Sequence, residues 1–421
     1  MNEQIKQRIT QLNNGEVPND YKKTEFGVFP CDWVTDKKLK DLGSFGKGKG
    51  LPGDKMVSEG VPCVGYGDIY MKYNHFHFAE AKTFVDEETA SESQPIQNGT
   101  LLFTGTGETA EEIGKCVCYN GDETIYAGGD IITFVSDEVE PLFLAYQQYH
   151  DFSLRKKASF GQGHSVVHIQ KDNLEKLNVA YPKSTEEQSK IAEILMKWDE
   201  AIELQEKQLD NLKVKKDAVL QRLIKKDYSW LKISLRNILK ERTEFATKDE
   251  GYPHVTLSKS GVAKKTEQYN RDFLVKSEDK KYKITRHNDI CYNPANLKFG
   301  VICINKLTEE SIFSPIYITY EVDPKYNVDF IGAVLCSTDF IRYIRKYEEG
   351  TVYERQAVKS SDFLRGEIWV PATKGEQDKI ASIIKKIDDY IEIEQQKYEA
   401  LCTQRKALQQ YLLNGIVRVN K

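Results

Sequence analysis

Two sets of side chains have the types that grip phosphates and read base edges. In the first half of the chain they are Lys47, Lys49, Tyr66, Tyr70, Tyr73, Arg155, Lys157, Gln162, His164 and Ser165. In the second half they are Thr256, Ser258, Lys259, Lys264, Lys265, Asn293, Asn296, Arg342, Tyr353, Arg355 and Gln356. Arginine and lysine serve phosphates and guanine edges; asparagine and glutamine serve adenine edges. Gly161-Gln162-Gly163-His164-Ser165 and Gly350-Thr351-Val352-Tyr353-Glu354-Arg355-Gln356 hold corresponding places in the two halves but carry different side chains.

Catalytic chemistry is harder to find. Phe103-Thr104-Gly105-Thr106-Gly107 fits the FxGxG loop with which methyltransferases hold adenosylmethionine, and Asn293-Pro294-Ala295-Asn296 half-matches their Asn-Pro-Pro-aromatic loop. Thr104 and Asn293 occupy the same position of an internal repeat, however, and one position of one fold should not be both cofactor loop and catalytic loop. Ala295 also stands where the second proline belongs, and Asn296 lacks the ring that stacks on a flipped base. Gly46-Lys47-Gly48-Lys49-Gly50 lacks the spacing and the hydroxyl of a phosphate-cradling loop. His75 with His77, and His164 with His168, have no acidic or thiol partners at ligand spacing. No cofactor or metal is expected in this chain.

The elements that must position these loops come in duplicate. From Pro182 the chain reads PKSTEEQSKIAEILMKWDEAIE, and from Pro371 it reads PATKGEQDKIASIIKKIDDYIE, an offset of 189 residues without a gap. Matched residues include Gln188/Gln377, Ile191/Ile380, Asp199/Asp388 and Leu223/Leu412. A 4-3 spacing runs through Ile191, Leu195, Trp198, Ile202, Gln205, Leu209, Leu212, Lys216, Val219 and Leu223. The second copy runs through Ile380, Ile384, Ile387, Ile391, Glu394, Tyr398, Leu401, Arg405, Leu408 and Leu412. Such stripes predict coiled-coil helices, each ~57 Å long. The polar breaks predict antiparallel pairing, with Gln205 facing Arg405 and Lys216 facing Glu394, because a parallel pair would set Lys216 beside Arg405.

The intervening segments resemble each other more faintly. Asp32-Trp33 echoes Ser229-Trp230, Gly99 to Phe103 echoes Asn288 to Tyr292, and Gly161 echoes Gly350. Short β-rich runs (Lys115 to Tyr119, Val301 to Ile304) alternate with helices expected over Pro141 to Tyr149 and Asp329 to Tyr347. The fold class is therefore α/β (α+β): two tandem mixed domains separated by two long antiparallel helices. The boundaries are 1–24 for an N-terminal segment, 25–183 for the first domain, 184–226 for the first helix, 227–372 for the second domain, and 373–421 for the second helix and tail. Leu12-Asn13-Asn14-Gly15-Glu16-Val17 resembles Leu412-Leu413-Asn414-Gly415-Ile416-Val417, which makes the repeat cyclic, pseudo-twofold, and brings the termini together.

The chain has 421 residues, 29% of them charged, a formal net charge of −4 and a pI near 6.1. That balance argues against a free-standing nucleic-acid binder, which carries a basic excess, although local basic clusters exist. No apolar run is long enough for a membrane span, so no membrane partner is expected. The eight cysteines form no CxxC pair and fit reduced thiols in the cytoplasm.

The tandem Pro-x-x-x-x-Glu-Gln-x-Lys-Ile-Ala (Pro182 to Ala192, Pro371 to Ala381), the helices after it, the Leu412 to Val419 ending and the Gly27 to Trp33 stretch together resemble the specificity subunits of Type I restriction–modification systems. The resemblance implies two target recognition domains, each reading one half of a bipartite site in double-stranded DNA. It implies that the helices fix the gap and dock two modification subunits, which carry S-adenosylmethionine and methylate adenine, with two restriction subunits joining. It implies a chain that itself catalyses nothing. The alternatives are a standalone sequence-specific DNA-binding protein or a structural adaptor with the same duplicated architecture.

Overall fold

The computed structural model describes residues 3–73, 76–163, 166–225, 227–259, 261–264, 281–349 and 356–419. Eight helices matter below: α1 (Glu3–Asn13), α2 (Tyr66–Met71), α3 (Pro141–Gln147), α4 (Asp151–Phe160), α5 (Thr185–Leu223), α6 (Val328–Leu335), α7 (Thr338–Ile344) and α8 (Lys374–Leu413). The long helices α5 and α8 run for 39 and 40 residues. Both begin alike: the Ser184 hydroxyl accepts from the Glu187 amide, and the Thr373 hydroxyl from the Glu376 amide, each at 3.3 Å. Gly15 (φ 79°) and Gly415 (φ 66°) end α1 and α8 in the left-handed conformation, so the similar Asn-Gly sequences at the two ends are the same helix stop.

The chain divides into two units, Met1–Gln205 with Lys397–Lys421, and Glu206–Gln396. In the first, one five-stranded sheet has the order Gly43–Lys47, Ile131–Ser136, Thr100–Thr104, Cys116–Tyr119, His77–Phe78. A second runs Met56–Val57, Thr83–Val85, Val61–Val64, Ile125–Ala127, Gln94–Ile96. Val34–Lys38 pairs with Asn178–Tyr181, so the start and end of the 25–183 segment close on each other. The main core joins Phe29, Trp33, Leu101, Phe103, Phe143 and Tyr146 to Ile191 and Leu195 of α5 and Leu412 and Leu413 of α8.

The second unit repeats the plan with fewer strands among the described residues. Leu231–Ser234 pairs with Glu367–Val370, and a four-stranded sheet has the order Leu239–Glu241, Ile318–Val322, Ile290–Tyr292, Ile302–Ile304. Its core joins Trp230, Tyr292, Tyr320 and Phe330 to Leu220 of α5 and Ile380 and Ile384 of α8. The correspondence reaches single bonds. Phe143 packs edge-on to Trp33 at 6.4 Å, as Phe330 does to Trp230 at 5.9 Å. The Leu39 amide donates to Leu177 O at 3.0 Å, and the Leu235 amide to Gly366 O at 2.8 Å. Gly99 (φ 82°) and Asn288 (φ 69°) fill one left-handed position, a conformation that asparagine tolerates better than most residues with a side chain.

The repeated glutamines tie each long helix to its domain. Gln188 Oε1 accepts from the Glu140 amide at 2.8 Å while its Nε2 donates to Pro182 O at 2.8 Å. Gln377 does the same, with the Asn327 amide at 2.9 Å and Pro371 O at 3.2 Å. Glu140 and Asn327 are the N-cap residues of α3 and α6.

Two expectations need correction. The helix expected over Asp329 to Tyr347 is broken: α6 stops at Leu335 and Ser337 caps α7, accepting from the Phe340 amide at 3.2 Å. The long helices do pair antiparallel within each unit, but the register differs by six residues. Arg405 is bidentate on Asp199 (2.7 and 3.2 Å) rather than facing Gln205, Lys216 pairs with Asp388, and Glu394 accepts from Gln208 at 3.3 Å. The packing of Ile191 and Leu195 against Leu412, and of Leu220 against Ile380 and Ile384, sets this register. Asp199 and Asp388 sit beside the apolar seam instead of on it.

Candidate nucleic-acid interface

In the first unit the loop after Gly43–Lys47 is held by its backbone. The Gly48 amide donates to Ile131 O at 2.8 Å, the Lys49 amide to Ala127 O at 3.0 Å, and the Gly129 amide to Gly50 O at 3.2 Å. A Cβ at Gly48 would lie 1.8 Å from Gly128 O, so only glycine lets the two loops come this close. Leu51 adopts φ 59° while its side chain is buried among Cys63, Val85 and Ala90. The result is a fixed loop from which Lys47 and Lys49 project into solvent. Lys47 lines a concave site with Thr106, Asp130, His168, Gln170 and Lys171. His168 Nδ1 lies 3.2 Å from Thr106 Oγ1, and its backbone pairs with that of the exposed Gln162.

The other first-half candidates divide. Tyr66 is exposed at the start of α2. The Tyr70 hydroxyl is turned inward, 2.7 Å from Thr104 Oγ1 and 3.2 Å from Thr106 O, and it steadies the loop instead of reading bases. Tyr73 is a core residue: it is buried, stacks on Phe78 at 4.0 Å, and accepts from the Lys82 amide at 3.1 Å. Lys157 is also internal. Helical spacing sets it on the buried face of α4 with Ser153, and its ammonium donates to Gly114 O at 2.8 Å. Burial lowers its pKa from the ordinary 10.5 to about 8. Arg155, one face away, is exposed in a separate depression with Phe26, Phe152 and Asn178. His164 and Ser165 lie outside the described residues.

In the second unit the residues gather around the connection from Ile290–Tyr292 to Ile302–Ile304, which corresponds to the 105–115 connection of the first. Thr104 and Asn293 start these connections with matching backbone bonds, to Lys115 O at 3.0 Å and Val301 O at 3.1 Å. Asn293 is buried, and its Oδ1 accepts from the Ala295 and Asn296 amides at 3.1 and 3.3 Å. It therefore builds the turn and is withdrawn from base reading. Asn296, Phe299 and the hairpin residue Lys259 are exposed, and Lys259 passes within 4 Å of the Cβ position of Gly300. The Val358 amide donates to Pro294 O at 3.2 Å, which brings the segment of the exposed Gln356 alongside. Arg342 is exposed on α7, 3.5 Å from Asp339. Thr256 and Lys264 are exposed on the hairpin, where the half-buried Ser258 donates to Gly261 O at 3.4 Å. Lys265, Tyr353 and Arg355 lie outside the described residues.

Behind this connection, Arg242 grips Asp289 through two bonds of 2.8 and 2.9 Å, and Asp289 accepts from the Arg286 amide at 2.7 Å. These bonds fix the turn that launches Ile290–Tyr292. The carboxylate holds the Arg242 guanidinium above its ordinary pKa. Thr106, His168, Gln170 and Lys171 in the first unit, and Lys298 and Phe299 in the second, lie beside these candidates and were not among the contacts expected from the sequence. The repeat alignment pointed to their connections but not to their exposure.

Among the described residues, no helix is long and apolar enough to cross a membrane. Residues 30–214 match the family model of the Type I restriction modification DNA specificity domain. Over 95% of its length the chain is 24% identical to a protein of Methanocaldococcus jannaschii named as a type I restriction enzyme MjaX specificity subunit, 97% of which is covered. The fold is similar to the crystal structure of a Type I restriction–modification S subunit from M. genitalium, at 14% identity and a TM-score of 0.54, with 94% of this chain and 97% of that one covered. A chain from a structure of the assembly and conformational transition of the type I R-M system is similar at 11% identity and a TM-score of 0.55, with 96% and 100% covered.

Proposed function

We propose that this chain, whose residues 30–214 match the family model of the Type I restriction modification DNA specificity domain, is a specificity subunit that recognises a two-part DNA sequence, one part per unit. The observation that carries this is a duplicated scaffold with unlike loops. The backbone bonds of Thr104 and Asn293 match, while the connections that follow differ in length and charge: 105–115 contains Glu108, Glu111 and Glu112, and 293–301 contains Lys298 and no acid. A common frame carrying different surfaces suits two readers of different sequences. Lys47, Lys49, Gln162, His168 and Lys171 are the contacts we assign to the first reader. Asn296, Lys259, Gln356 and Arg342 are those of the second.

The long helices set the gap between the two parts and dock two modification subunits. The support for two is a repeated apolar face. Leu204 on α5 is 67% exposed, and its counterpart Ile393 on α8 is 59% exposed. The exposed Ala201 on α5, and Ile383 with Tyr390 on α8, extend the same faces. Exposed apolar faces that recur with the repeat fit two copies of one partner. Those subunits would bring S-adenosylmethionine and methylate adenine, and restriction subunits would join them. With a net charge of −4 the lone chain lacks the cations for tight DNA binding, and its partners would supply most phosphate contacts.

A methylation map of cells with and without this gene tests the proposal. The expected result is loss of one bipartite adenine motif, and replacing residues 227–372 by those of a related chain should change one half of that motif only. An unchanged map, or a change in both halves, would overturn it.

A further inference from the structure

Phe299 is 61% exposed at the apex of the 293–301 connection in the second unit. It is not there through looseness. The Leu297 side chain beneath it is 1% exposed and anchors the turn in the core. The Phe299 amide donates to Asn296 O at 3.0 Å, the Gly300 amide to Leu297 O at 2.8 Å, and the Asn293 carboxamide closes the other end. Gly300 (φ 83°) completes the turn in a conformation that a side chain would strain. The fold therefore holds a phenyl ring in water on a loop braced by several backbone bonds.

Its surroundings are cationic and polar. Lys298 Nζ lies 5.3 Å from the ring centroid, Lys259 approaches Gly300, Asn296 is exposed one turn earlier, and 293–301 carries no acidic residue. An apolar protein partner would meet lysines at the centre of its contact, where interfaces are depleted of them. A nucleic acid would meet cations for its phosphates and a π-face for its bases. We propose that Phe299 is a wedge that enters the stack of the duplex at one base step of the half-site read by the second unit. This rests on the chain being a DNA-recognition subunit. The corresponding connection of the first unit has three glutamates and no aromatic residue, so the distortion should be one-sided. A wedge also selects sequence without touching base edges, because pyrimidine–purine steps unstack most easily. The step at Phe299 should be of that kind.

The test uses the full chain purified with its methylating partner, on a duplex carrying the mapped target. 2-Aminopurine is placed at successive positions, leaving out the methylated adenines. The expected result is a fluorescence rise at one step of a single half, kept by Phe299→Leu and lost by Phe299→Ala. Phe299→Ala should also weaken binding roughly tenfold, the scale of one lost base–aromatic stack. In the unaltered protein, 5-iodouracil at that step should photocrosslink to Phe299, a readout that needs no variant to fold. Unchanged affinity and fluorescence in Phe299→Ala, crosslinking elsewhere only, or loss of the methylating partner from Phe299→Ala would each overturn the wedge. If the unaltered complex selects no sequence, the DNA-recognition assignment itself fails. Target selection that survives Phe299→Ala unchanged sinks the wedge alone.

Discussion

Lys157 shows what residue type alone conceals. Lysines beside an arginine read as a solvated basic cluster, and Arg155 and Lys156 are that. The helical period carries Lys157 round to the buried face, where its ammonium donates to Gly114 O. Its folded pKa of about 8 lies below the ordinary 10.5, so between these values the unfolded chain binds more protons. The cost of burying this ammonium is fully felt below about pH 8 and is relieved as pH rises toward 10.5. Lys157→Met should flatten that rise, which denaturant titrations at pH 7, 9 and 10 would measure. An unchanged slope would mean that Lys157 is not the titrating group. Tyr73 misleads in the same way, because an aromatic ring near lysines has the same letters whether it faces bases or the core. Phe299 is the converse: a single phenylalanine after a lysine carries no periodic signal of exposure.

Among the elements, the long helices are the most legible, because an apolar 4-3 stripe kept in two copies is hard to produce by anything but a coiled coil. Charge sorting also gives the right direction of pairing. Register is not legible, because Asp199 and Asp388 lie beside the seam and their partners lie on the other helix. The role of Gln188 and Gln377 is hidden for a similar reason: the amides they accept from, at Glu140 and Asn327, are 48 and 50 residues away. The two equivalent ion pairs should differ in weight. Asp199 and Arg405 have side chains 5% and 9% exposed, with the Tyr146 hydroxyl donating to Asp199 at 2.7 Å, whereas Asp388 and Lys216 are 47% and 32% exposed. Asp199→Ala should therefore cost about 3–5 kcal/mol and Asp388→Ala about 1 kcal/mol or less. Equal losses in chemical denaturation would refute the difference in burial. Replacing Asp199 and Arg405 together by Leu and Met should recover most of the loss.

At the scale of the whole molecule, the cyclic repeat has a physical counterpart in the first unit. The Tyr21 hydroxyl donates to Gly415 O at 2.5 Å, Arg8 donates to Ile416 O at 3.3 Å, and the Gln147 carboxamide donates to Leu413 O at 3.2 Å. His150 Nδ1 accepts from the Phe152 amide, which leaves Nε2–H to donate to Asn414 Oδ1 at 2.8 Å. Arg418 is bidentate on both Glu187 (2.6 and 2.8 Å) and Asp32 (2.9 Å each). Arg418→Ala leaves the buried Glu187 carboxylate unpaired and should destabilise the first unit by about 3 kcal/mol. Hydrogen exchange should then quicken around Asp32, Gln147 and Leu412, while Ile290–Tyr292 stays protected. Faster exchange throughout the chain would argue against a local effect. The sequence hints at this closure only through one six-residue similarity, because most of the residues that hold the tail are not themselves repeated.

The clasped tail has a consequence for how the protein is made. A ribosome releases the 206–396 unit with both of its helical segments in hand, but the unit it began first still lacks 397–421. At about 5–20 residues per second, the opening strands must wait roughly 20–80 s for the last turn of α8 to emerge. In this chain the earliest-translated half is the last to mature.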